Sequence, residues 1–472
     1  MCIRDRIWGV RGTRAPIRTI CDEKTTSIDG GCGDEIGMFM KNIDQIAHAK
    51  WILTGEKNQH VLENHALLID KGVIQNIVPS AEAKEHYHAK QVDDYAYHAL
   101  LPGLVNAHTH LGMNYFRGLG CDLMLMDWLN GYIWPAEKKW LSHEFVHDAS
   151  LFAMAEMIRS GTTCFNDMFY FPEAIADAAI TAGMRGFVSM HVIDFPTAWT
   201  QNADESLEKG LAFYEQYHQQ PLLTPILAPH APYTVSDESF VRVLELAQSL
   251  NLKINVHLHE TQAEIEQSMT QYQKRPIKRL FDLGFLSSEV LAIHMTQLDE
   301  EDYDILGATH PSIVHCPRSN MKLASGICPV AKLHNLGLNV ALGTDSVASN
   351  NDLNMINEMR TAAFLAKVSQ QDPVCMNVDE TFAMASLNGA KALGIDHIVG
   401  SLAPGKAADF IAMNLDEIET LPVHDPLVQI IYSSSRHQVT DVWVAGKQLL
   451  KNRELLTLDE EALKAKARSW KL

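Results

Sequence analysis

The chain first shows its repeating unit in Leu104-Val-Asn-Ala-His-Thr-His110, an apolar run that closes on two histidines. Further runs of this kind follow, separated by helix-like segments such as Glu144–Arg159 and Asp237–Leu250. The eight candidate strands are Leu104–His110, Thr162–Met168, Gly186–Ile193, Leu222–His230, Lys253–Glu260, Val290–Met295, Ser312–Cys316 and Asn339–Asp345. Eight strand–helix units in about 300 residues predict an α/β fold of the closed parallel type, the (β/α)8 TIM barrel.

Short strand-like runs separated by turn residues also lie on both sides of this predicted barrel. They are Ala49–Thr54, His65–Ile69 and Gly72–Val78 before it, and Gly405–Met413 and Val439–Lys447 after it. The simplest arrangement is a small β-sandwich domain built from both termini, with residues 41–101 as its first part and 401–472 as its second part and tail. The barrel then spans residues 102–400. Residues 1–40 have no sustained apolar period, and we expect a disordered or non-native leader there.

The composition of the 472-residue chain is that of a folded protein, with 46% hydrophobic and 21% charged residues. Its 58 acidic and 39 basic side chains give a net charge of −19, which argues against nucleic acid or a membrane surface as a partner. No run reaches the ~18–20 apolar residues of a membrane helix. The eight cysteines are scattered, without a CxxC pair or a secretory signal. We therefore expect a cytoplasmic protein with reduced thiols.

In a barrel of this kind the active site forms at the carboxyl ends of the strands, and polar residues accumulate there in this chain. His108 and His110 are two residues apart on one strand, so both can face one metal ion. A third histidine closes strand five, and Asp345 closes strand eight. Three imidazoles and one carboxylate form a ligand set for Zn²⁺ or Fe²⁺ that leaves a position open for water.

Strand five offers two histidines for the third ligand. His257 and His259 are again two residues apart, so they are expected to point the same way. We favour His257 as the ligand, with the adjacent Glu260 as an acid/base group. His259 is either the alternative ligand or a residue that supports the ligands.

These elements together resemble the amidohydrolase superfamily. The matching segments, in chain order, are Leu101-Pro-Gly-Leu-Val-Asn-Ala-His-Thr-His110, His257-Leu-His-Glu260, His294, Gly343-Thr-Asp345 and, in the terminal domain, Gly400–Asp409. Longer segments resemble the adenosine-type deaminases, in the branch that contains the 5′-methylthioadenosine/S-adenosylhomocysteine deaminases and the triazine hydrolases. They are Met126–Glu137, Ala228–Thr234 and Cys316–Gly326.

This resemblance implies a metal-dependent hydrolytic deaminase that converts 5′-methylthioadenosine, with S-adenosylhomocysteine or adenosine as further substrates, to the inosyl product and ammonia. The implied metal ligands are His108, His110, His257 and Asp345. The implied catalytic residues are Glu260, which protonates the ring N1, His294, which orients or polarises the nucleophile, and Asp345, which accepts a proton from water. The implied substrate-binding residues are Glu137, His230, Glu260 and Asp345.

The resemblance also bears on the cofactor and on the assembly. Binuclear members of the superfamily carry a carboxylated lysine at the end of strand four, whereas Leu222–His230 contains no lysine. We therefore expect one divalent metal ion, Zn²⁺, with Fe²⁺ as the alternative. The expected partners are a small-molecule nucleoside substrate and further copies of this chain in a homo-oligomer, a dimer or a tetramer.

One departure from the family pattern concerns the substrate. Some deaminases of this group hold the homocysteine carboxylate with an arginine beyond strand three, but Phe187–Pro196 contains none. Arg185 precedes that strand and is expected at the opposite end of the barrel. A neutral 5′ group, as in methylthioadenosine, is therefore predicted to be preferred.

Two other functions remain as alternatives. The first is another ring deaminase or hydrolase of the same branch, acting on a triazine, guanine or cytosine-like substrate. The second is a non-catalytic assembly protein on the same scaffold. Such a protein is expected to have lost metal ligands, whereas all four ligand positions are filled here.

Overall fold

The computed structural model describes residues 40–56 and 61–471. This part of the chain begins with the strands β1 (Lys41–Ile52), β2 (Leu62–Asp70), β3 (Val73–Pro79) and β4 (Tyr87–Pro102), with helix α1 (Ser80–His86) between the last two. Strand β1 pairs with β2 in antiparallel and with β4 in parallel orientation. Residues 1–39 of the predicted leader lie outside the described residues.

The next eight strands form the predicted barrel, which is confirmed. They are β5 (Leu104–Thr109), β6 (Thr162–Asp167), β7 (Arg185–Val192), β8 (Leu223–Pro229), β9 (Ile254–Leu258), β10 (Val290–His294), β11 (Ser312–His315) and β12 (Val340–Leu342). Each strand pairs in parallel with the next one along the chain. The first and last strands approach each other where Thr109 forms a parallel bridge to Asp345, so the barrel is nearly closed.

Helices connect the barrel strands and follow the last of them. They are α2 (Leu125–Trp128), α3 (Trp134–Trp140), α4 (His143–Arg159), α5 (Pro172–Ala182), α6 (Ala203–Tyr217), α7 (Asp237–Leu250), α8 (Gln262–Tyr272), α9 (Pro276–Asp282), α10 (Glu300–Thr309), α11 (Pro317–Lys322), α12 (Val330–Asn335), α13 (Met355–Gln370), α14 (Val378–Met384) and α15 (Leu387–Ala392). A 3₁₀ turn covers Leu111–Phe116, and a π-helical turn at Leu129–Ile133 joins α2 to α3.

Helix α7 illustrates why these segments are helical. The Ser236 side chain accepts a hydrogen bond from the Ser239 amide, which caps the first turn. Phe240, Val243 and Ala247 recur at helical spacing and are buried against the barrel. The helix ends where Asn251 adopts a left-handed conformation with φ of 53°.

The chain ends with four more strands, β13 (Phe410–Asn414), β14 (Val439–Val444), β15 (Lys447–Lys451) and β16 (Glu454–Leu455), and with helices α16 (Pro426–Tyr432) and α17 (Glu460–Ser469). These strands join the first four in one mixed sheet of order β16-β15-β14-β13-β4-β1-β2-β3. The prediction of a β domain built from both termini is therefore confirmed. Its core includes Phe410 and Trp443, whose rings stack with centroids 4.2 Å apart. Among the helices of the described residues, none has both the length and the apolar character needed to cross a membrane.

A buried ion pair ties the barrel to this sheet. Arg185 lies at the start of β7, and its Nε and Nη2 donate to the Asp409 carboxylate over 2.9 and 3.1 Å. The backbone oxygen of Asp409 accepts a hydrogen bond from the Gly103 amide, just before β5. Arg185 therefore lies at the amino end of its strand, as the sequence predicts, and takes part in holding the two sheets together.

Candidate active site

The predicted metal ligands and catalytic groups lie at the carboxyl ends of four barrel strands. His108 lies on β5 and His110 directly follows it, while His257 lies on β9 and His294 ends β10. Asp345 follows β12 and is held beside β5 by a hydrogen bond of 3.0 Å from its amide to the His108 carbonyl. Ligand atoms of His108, His257, His294 and Asp345 all lie within 4.8 Å of one another.

His110 borders this cluster. Its Nε2 lies 3.0 Å from Oδ1 of Asp345, and the Nε2 of His108 lies 3.6 Å from the same oxygen. The Nε2 atoms of His108 and His257 are 3.1 Å apart. The structure thus brings together all four predicted ligands and adds His294 to the group.

Hydrogen bonds fix which ring nitrogen carries the proton in three of these histidines. The Nδ1 of His257 donates to the His230 carbonyl over 2.9 Å, and the Nδ1 of His110 donates to the Met168 carbonyl. The Nδ1 of His294 donates to Oδ1 of Asn320 over 2.8 Å. Because these acceptors take the Nδ1 protons, the Nε2 lone pairs are directed into the cluster.

The chemistry of this donor set fits a divalent cation. A bare Nε2 of His110 faces the anionic Oδ1 of Asp345, and two imidazole nitrogens face each other at 3.1 Å. A divalent cation placed among these atoms would give the carboxylate and the facing nitrogens a common partner. Burial lowers the pKa of His108 to about 4 and that of His257 well below its usual value, so these rings are neutral, as metal ligation requires.

The Asp345 carboxylate is oriented from its other side. The hydroxyls of Ser319 and Ser349 donate to Oδ2 over 2.5 and 2.9 Å, which leaves Oδ1 directed at the histidines. Burial raises the pKa of the Asp345 carboxyl, but the proximity of the His108 and His110 imidazoles outweighs burial and holds this pKa well below its usual value. Asp345 also has a left-handed backbone, with φ of 57°. This conformation is uncommon for a residue other than glycine and is typical of functional sites.

Glu260 lies beside the cluster, with Oε2 3.8 Å from Nε2 of His294. Burial raises the pKa of its carboxyl above the usual value, an effect that the nearby His294 partly offsets. A second buried carboxylate, that of Glu264, accepts the backbone amides of Glu260 and His259 over 2.7 and 3.0 Å. Glu264 therefore fixes the backbone that carries Glu260.

His259 is directed away from the cluster. Its Nδ1 donates to the Gln297 carbonyl over 2.9 Å, and its Nε2 accepts from the Ile277 amide over 3.0 Å. Both ring nitrogens of His259 are thus hydrogen-bonded to backbone groups, and neither is available to the cluster. Of the two histidines predicted for barrel strand five, His257 is the one that reaches the histidine–aspartate cluster.

A pocket opens from the cluster toward α2 and α3. Its wall includes all four predicted substrate-binding residues: Glu260 and Asp345 at the cluster, Glu137 from the first turn of α3, and His230 directly after β8. Trp134, Tyr170 and His191 also line it. Partial burial raises the pKa of Glu137 to about 8, so its carboxyl belongs to the pocket and is not an ordinary solvated helix charge.

Two buried carboxylates of the site were missed by sequence reasoning. Asp167 ends β6, and its Oδ1 accepts the Leu111 amide over 2.6 Å, directly after His110. A polar strand end was the available signal, as in the other strands. Glu264 lies in the pattern Thr261-Gln-Ala-Glu264, which is typical of a helix start. The Thr261 hydroxyl caps α8, as this pattern predicts. The Glu264 carboxylate instead accepts hydrogen bonds from the backbone amides of His259 and Glu260, which precede the helix.

A nearly closed parallel barrel with a buried histidine–aspartate cluster at the carboxyl ends of its strands defines the class of metal-dependent (β/α)8-barrel hydrolases. Residues 99–449, most of the chain, match the model of the amidohydrolase family. The chain belongs to the amidohydrolase family.

Individual relatives agree with this assignment. A protein of Teredinibacter turnerae named 5-methylthioadenosine/S-adenosylhomocysteine deaminase is 43% identical over 429 residues, which cover 91% of this chain and 97% of that protein. A protein of the same name from Pyrococcus furiosus is 38% identical over 84% of this chain and 93% of its own length. The crystal structure of an adenosine deaminase from Xanthomonas campestris with bound zinc superimposes with a TM-score of 0.90 at 43% identity, covering 91% of this chain and 98% of that one. An atrazine chlorohydrolase from Arthrobacter aurescens has a TM-score of 0.84 over 90% of this chain and 99% of its own, but at 21% identity it shares the fold alone.

Proposed function

We propose that this protein is a metal-dependent hydrolytic deaminase that converts 5′-methylthioadenosine to the inosyl product and ammonia. The observation that carries the proposal is the placement of a buried acid, Glu260, beside a histidine–aspartate cluster at the base of one pocket. The relatives named 5-methylthioadenosine/S-adenosylhomocysteine deaminase support the choice of substrate. S-Adenosylhomocysteine and adenosine are further candidate substrates of the same reaction.

His108, His110, His257 and Asp345 are the proposed ligands of one divalent ion, and His294 completes the cluster. Zn²⁺ is the proposed ion, because histidine nitrogens and one carboxylate suit it and a similar crystal structure holds zinc. Such an ion lowers the pKa of a coordinated water, which supplies the nucleophile for hydrolysis near neutral pH.

The protein's own groups move the protons of the reaction. Asp345, kept ionised by its histidine neighbours, accepts the proton of the attacking water. Glu260, whose pKa is raised by burial, donates its proton to N1 of the purine, relays the proton held by Asp345 to the departing amino group, and regains a proton from the C6 hydroxyl as the carbonyl forms. His294, held by Asn320, orients the nucleophile toward C6.

Two residues on the pocket wall are proposed to bind the nucleoside. Glu137, on α3, is suited to accept hydrogen bonds from the ribose hydroxyls. His230 lies next to His257, with ring centroids 5.0 Å apart, so it reaches the purine from the metal side. Its Nδ1 lies 2.9 Å from the Thr234 hydroxyl, which fixes the orientation of the ring.

The reaction is tested by measuring ammonia release from methylthioadenosine, S-adenosylhomocysteine, adenosine, guanine and melamine with zinc-loaded protein. We expect turnover of methylthioadenosine, S-adenosylhomocysteine and adenosine. This activity should be lost when a chelator removes the metal and restored when Zn²⁺ is added. Turnover of guanine or melamine alone would instead assign another ring deaminase. Bound metal without turnover of any substrate would contradict the proposed activity.

Methylthioadenosine is expected to be preferred over S-adenosylhomocysteine. Among the described residues, no arginine or lysine lines the pocket, so the homocysteine carboxylate finds no cationic partner there. Because a hydrogen bond to a charged group contributes ~1.5–3 kcal/mol, kcat/KM should favour methylthioadenosine by about 10- to 100-fold. Steady-state kinetics on both substrates measure this ratio.

A variant that introduces a cation near the pocket tests the same explanation in the opposite direction. Phe195 lies in the loop after β7, with its ring centroid 6.1 Å from that of the pocket residue Trp134. Phe195→Arg should lower the ratio of kcat/KM for methylthioadenosine to that for S-adenosylhomocysteine, because the added cation improves turnover of S-adenosylhomocysteine. The matched variant Phe195→Leu removes the ring without adding charge and should leave this ratio unchanged. Equal efficiency of both substrates in the unaltered protein would show that the missing arginine does not control selectivity.

Glu264→Gln is expected to lower kcat by about 10- to 100-fold with little change in KM. The amide keeps the size of the side chain, but one of the two oxygens that accept the His259 and Glu260 amides becomes a donor. Glu260 would then lose its position. Steady-state kinetics test this, with Glu266→Gln as the control, because Glu266 is exposed on the same helix. A variant with normal kcat would show that Glu264 does not position Glu260.

A further inference from the structure

A second cleft lies outside the active site, between α4, α17 and the residues around β14 to β16. Its volume is about 290 Å³. Five cationic side chains line it, together with two carboxylates, those of Glu156 and Glu460. The cations are Arg117, Arg159, Arg436, Arg453 and Lys464. This local excess of positive charge contrasts with the net charge of −19 of the whole chain.

The two carboxylates are shared and do not neutralise the cleft. Glu156 bonds both Arg117 and Arg436, the latter over 3.0 Å. Glu460 bonds Arg159 over 2.5 Å and Lys464 over 2.6 Å, and Lys464 also bonds Glu461, outside the cleft lining, over 3.0 Å. Each carboxylate therefore serves two cations, and Arg453 is left without a carboxylate partner among the described residues.

The fold holds Arg453 in this position. Its Nη1 donates to the carbonyls of Arg159, Arg436 and Val439 over 2.6, 2.8 and 2.7 Å. The guanidinium is thus fixed beside two other arginines by the backbone. Burial and the charges of Arg159 and Arg436 lower the pKa of Arg453 to about 10, which indicates like-charge repulsion that a bound anion would relieve.

Arginine guanidinium groups bind phosphate oxygens in pairs of parallel hydrogen bonds, and several arginines that face one cleft favour a doubly charged oxyanion over a single carboxylate. Phe152, Leu455 and Leu463 add an apolar wall next to the cations. This combination suits a small molecule that carries phosphate on an apolar or aromatic body.

We infer that this arginine cleft, lined by Arg159, Arg436 and Arg453, is a binding site for a phosphate-bearing small molecule, separate from the deaminase pocket. Arg159 and Arg436, each paired with one carboxylate through Nη1, supply their remaining guanidinium donors, and Arg453 supplies a fixed charge at the base. The site does not depend on the proposed reaction, because none of its residues lines the catalytic pocket.

The test is calorimetric titration of the full-length protein with inorganic pyrophosphate in low-salt, phosphate-free buffer. Saturable binding is expected, and the Arg159→Gln/Arg436→Gln double variant should bind at least about 10-fold more weakly. The matched control, Arg242→Gln/Lys332→Gln, removes two ion-paired surface cations elsewhere and should bind as the unaltered protein does. Arg436→Lys, which keeps the charge but not the guanidinium geometry, gives a second measurement if the double variant unfolds, and it too should weaken binding.

A second titration, with uridine 5′-diphosphate, distinguishes a site for an organic phosphate from a site for the inorganic ion. Tighter binding than pyrophosphate identifies an organic phosphate, and equal binding identifies the inorganic ion; either supports the site. The inference is overturned if pyrophosphate shows no saturable binding below about 10 mM, or if the cleft variants bind it unchanged. It is also overturned if the double variant changes the association state in sedimentation velocity while the unaltered protein binds no anion, because the cleft is then a protein interface.

Discussion

Asp345→Asn is expected to lower kcat/KM for methylthioadenosine by at least about 10³-fold and to reduce the bound metal. The amide keeps the shape of the carboxylate but removes the negative charge that faces His108 and His110. It also removes the base that would accept a proton from water. Ser319 and Ser349 donate to Oδ2, so an amide nitrogen placed there would leave both hydroxyls without their acceptor. Ammonia release and metal content per chain measure the two effects.

The control for this variant is Asp204→Asn. Asp204 is an exposed residue of α6 that pairs with Arg242, so its loss changes the net charge equally without touching the pocket. Its activity and metal content should match those of the unaltered protein. An Asp345→Asn variant that keeps activity within tenfold would remove Asp345 from the mechanism.

The barrel itself was predictable because its signal is repeated. Eight apolar runs alternate with amphipathic helices, and a wrong assignment of one short run would leave the pattern intact. Helix Asp237–Leu250, for example, has the predicted bounds. The position of Arg185 also follows from the sequence, because a residue at the beginning of a parallel strand lies at the end opposite the active site.

The choice between His257 and His259 could not be made from spacing. The rule that residues two apart share a face holds only while the strand continues. Strand β9 ends at Leu258, and His259 has a left-handed backbone with φ of 53°, which turns its ring toward the Gln297 carbonyl. Where a strand ends to within one residue depends on the packing around it, and the local sequence does not carry that information.

The roles of Glu264 and Asp167 were hidden for a related reason. Each carboxylate accepts backbone amides at the point where the chain leaves a strand, and such contacts have no signature in residue spacing. A buried acid that supports the backbone and one that transfers protons look alike in a sequence. Only the geometry separates Glu264, bonded to two amides, from Glu260, whose carboxylate faces His294.

Glu260→Gln is expected to lower kcat for methylthioadenosine by about 10²- to 10⁴-fold, because glutamine cannot donate a carboxylic proton to the ring or to the leaving ammonia. Metal content should stay normal, since Glu260 is not a proposed ligand. This result would distinguish the variant from Asp345→Asn, in which metal and activity are lost together.

A substrate with a different leaving group tests the role of Glu260 more specifically. In a 6-chloropurine analogue of methylthioadenosine, chloride departs without a proton, so one of the proton transfers assigned to Glu260 is no longer needed. The rate loss caused by Glu260→Gln should therefore be markedly smaller for the chloro analogue than for methylthioadenosine. Because both substrates meet the same pocket, a general disturbance of the site would slow them equally. An equal loss on both substrates would show that Glu260 does not serve the leaving group, and its role would then be restricted to protonation of N1 or to holding the nucleophile in place.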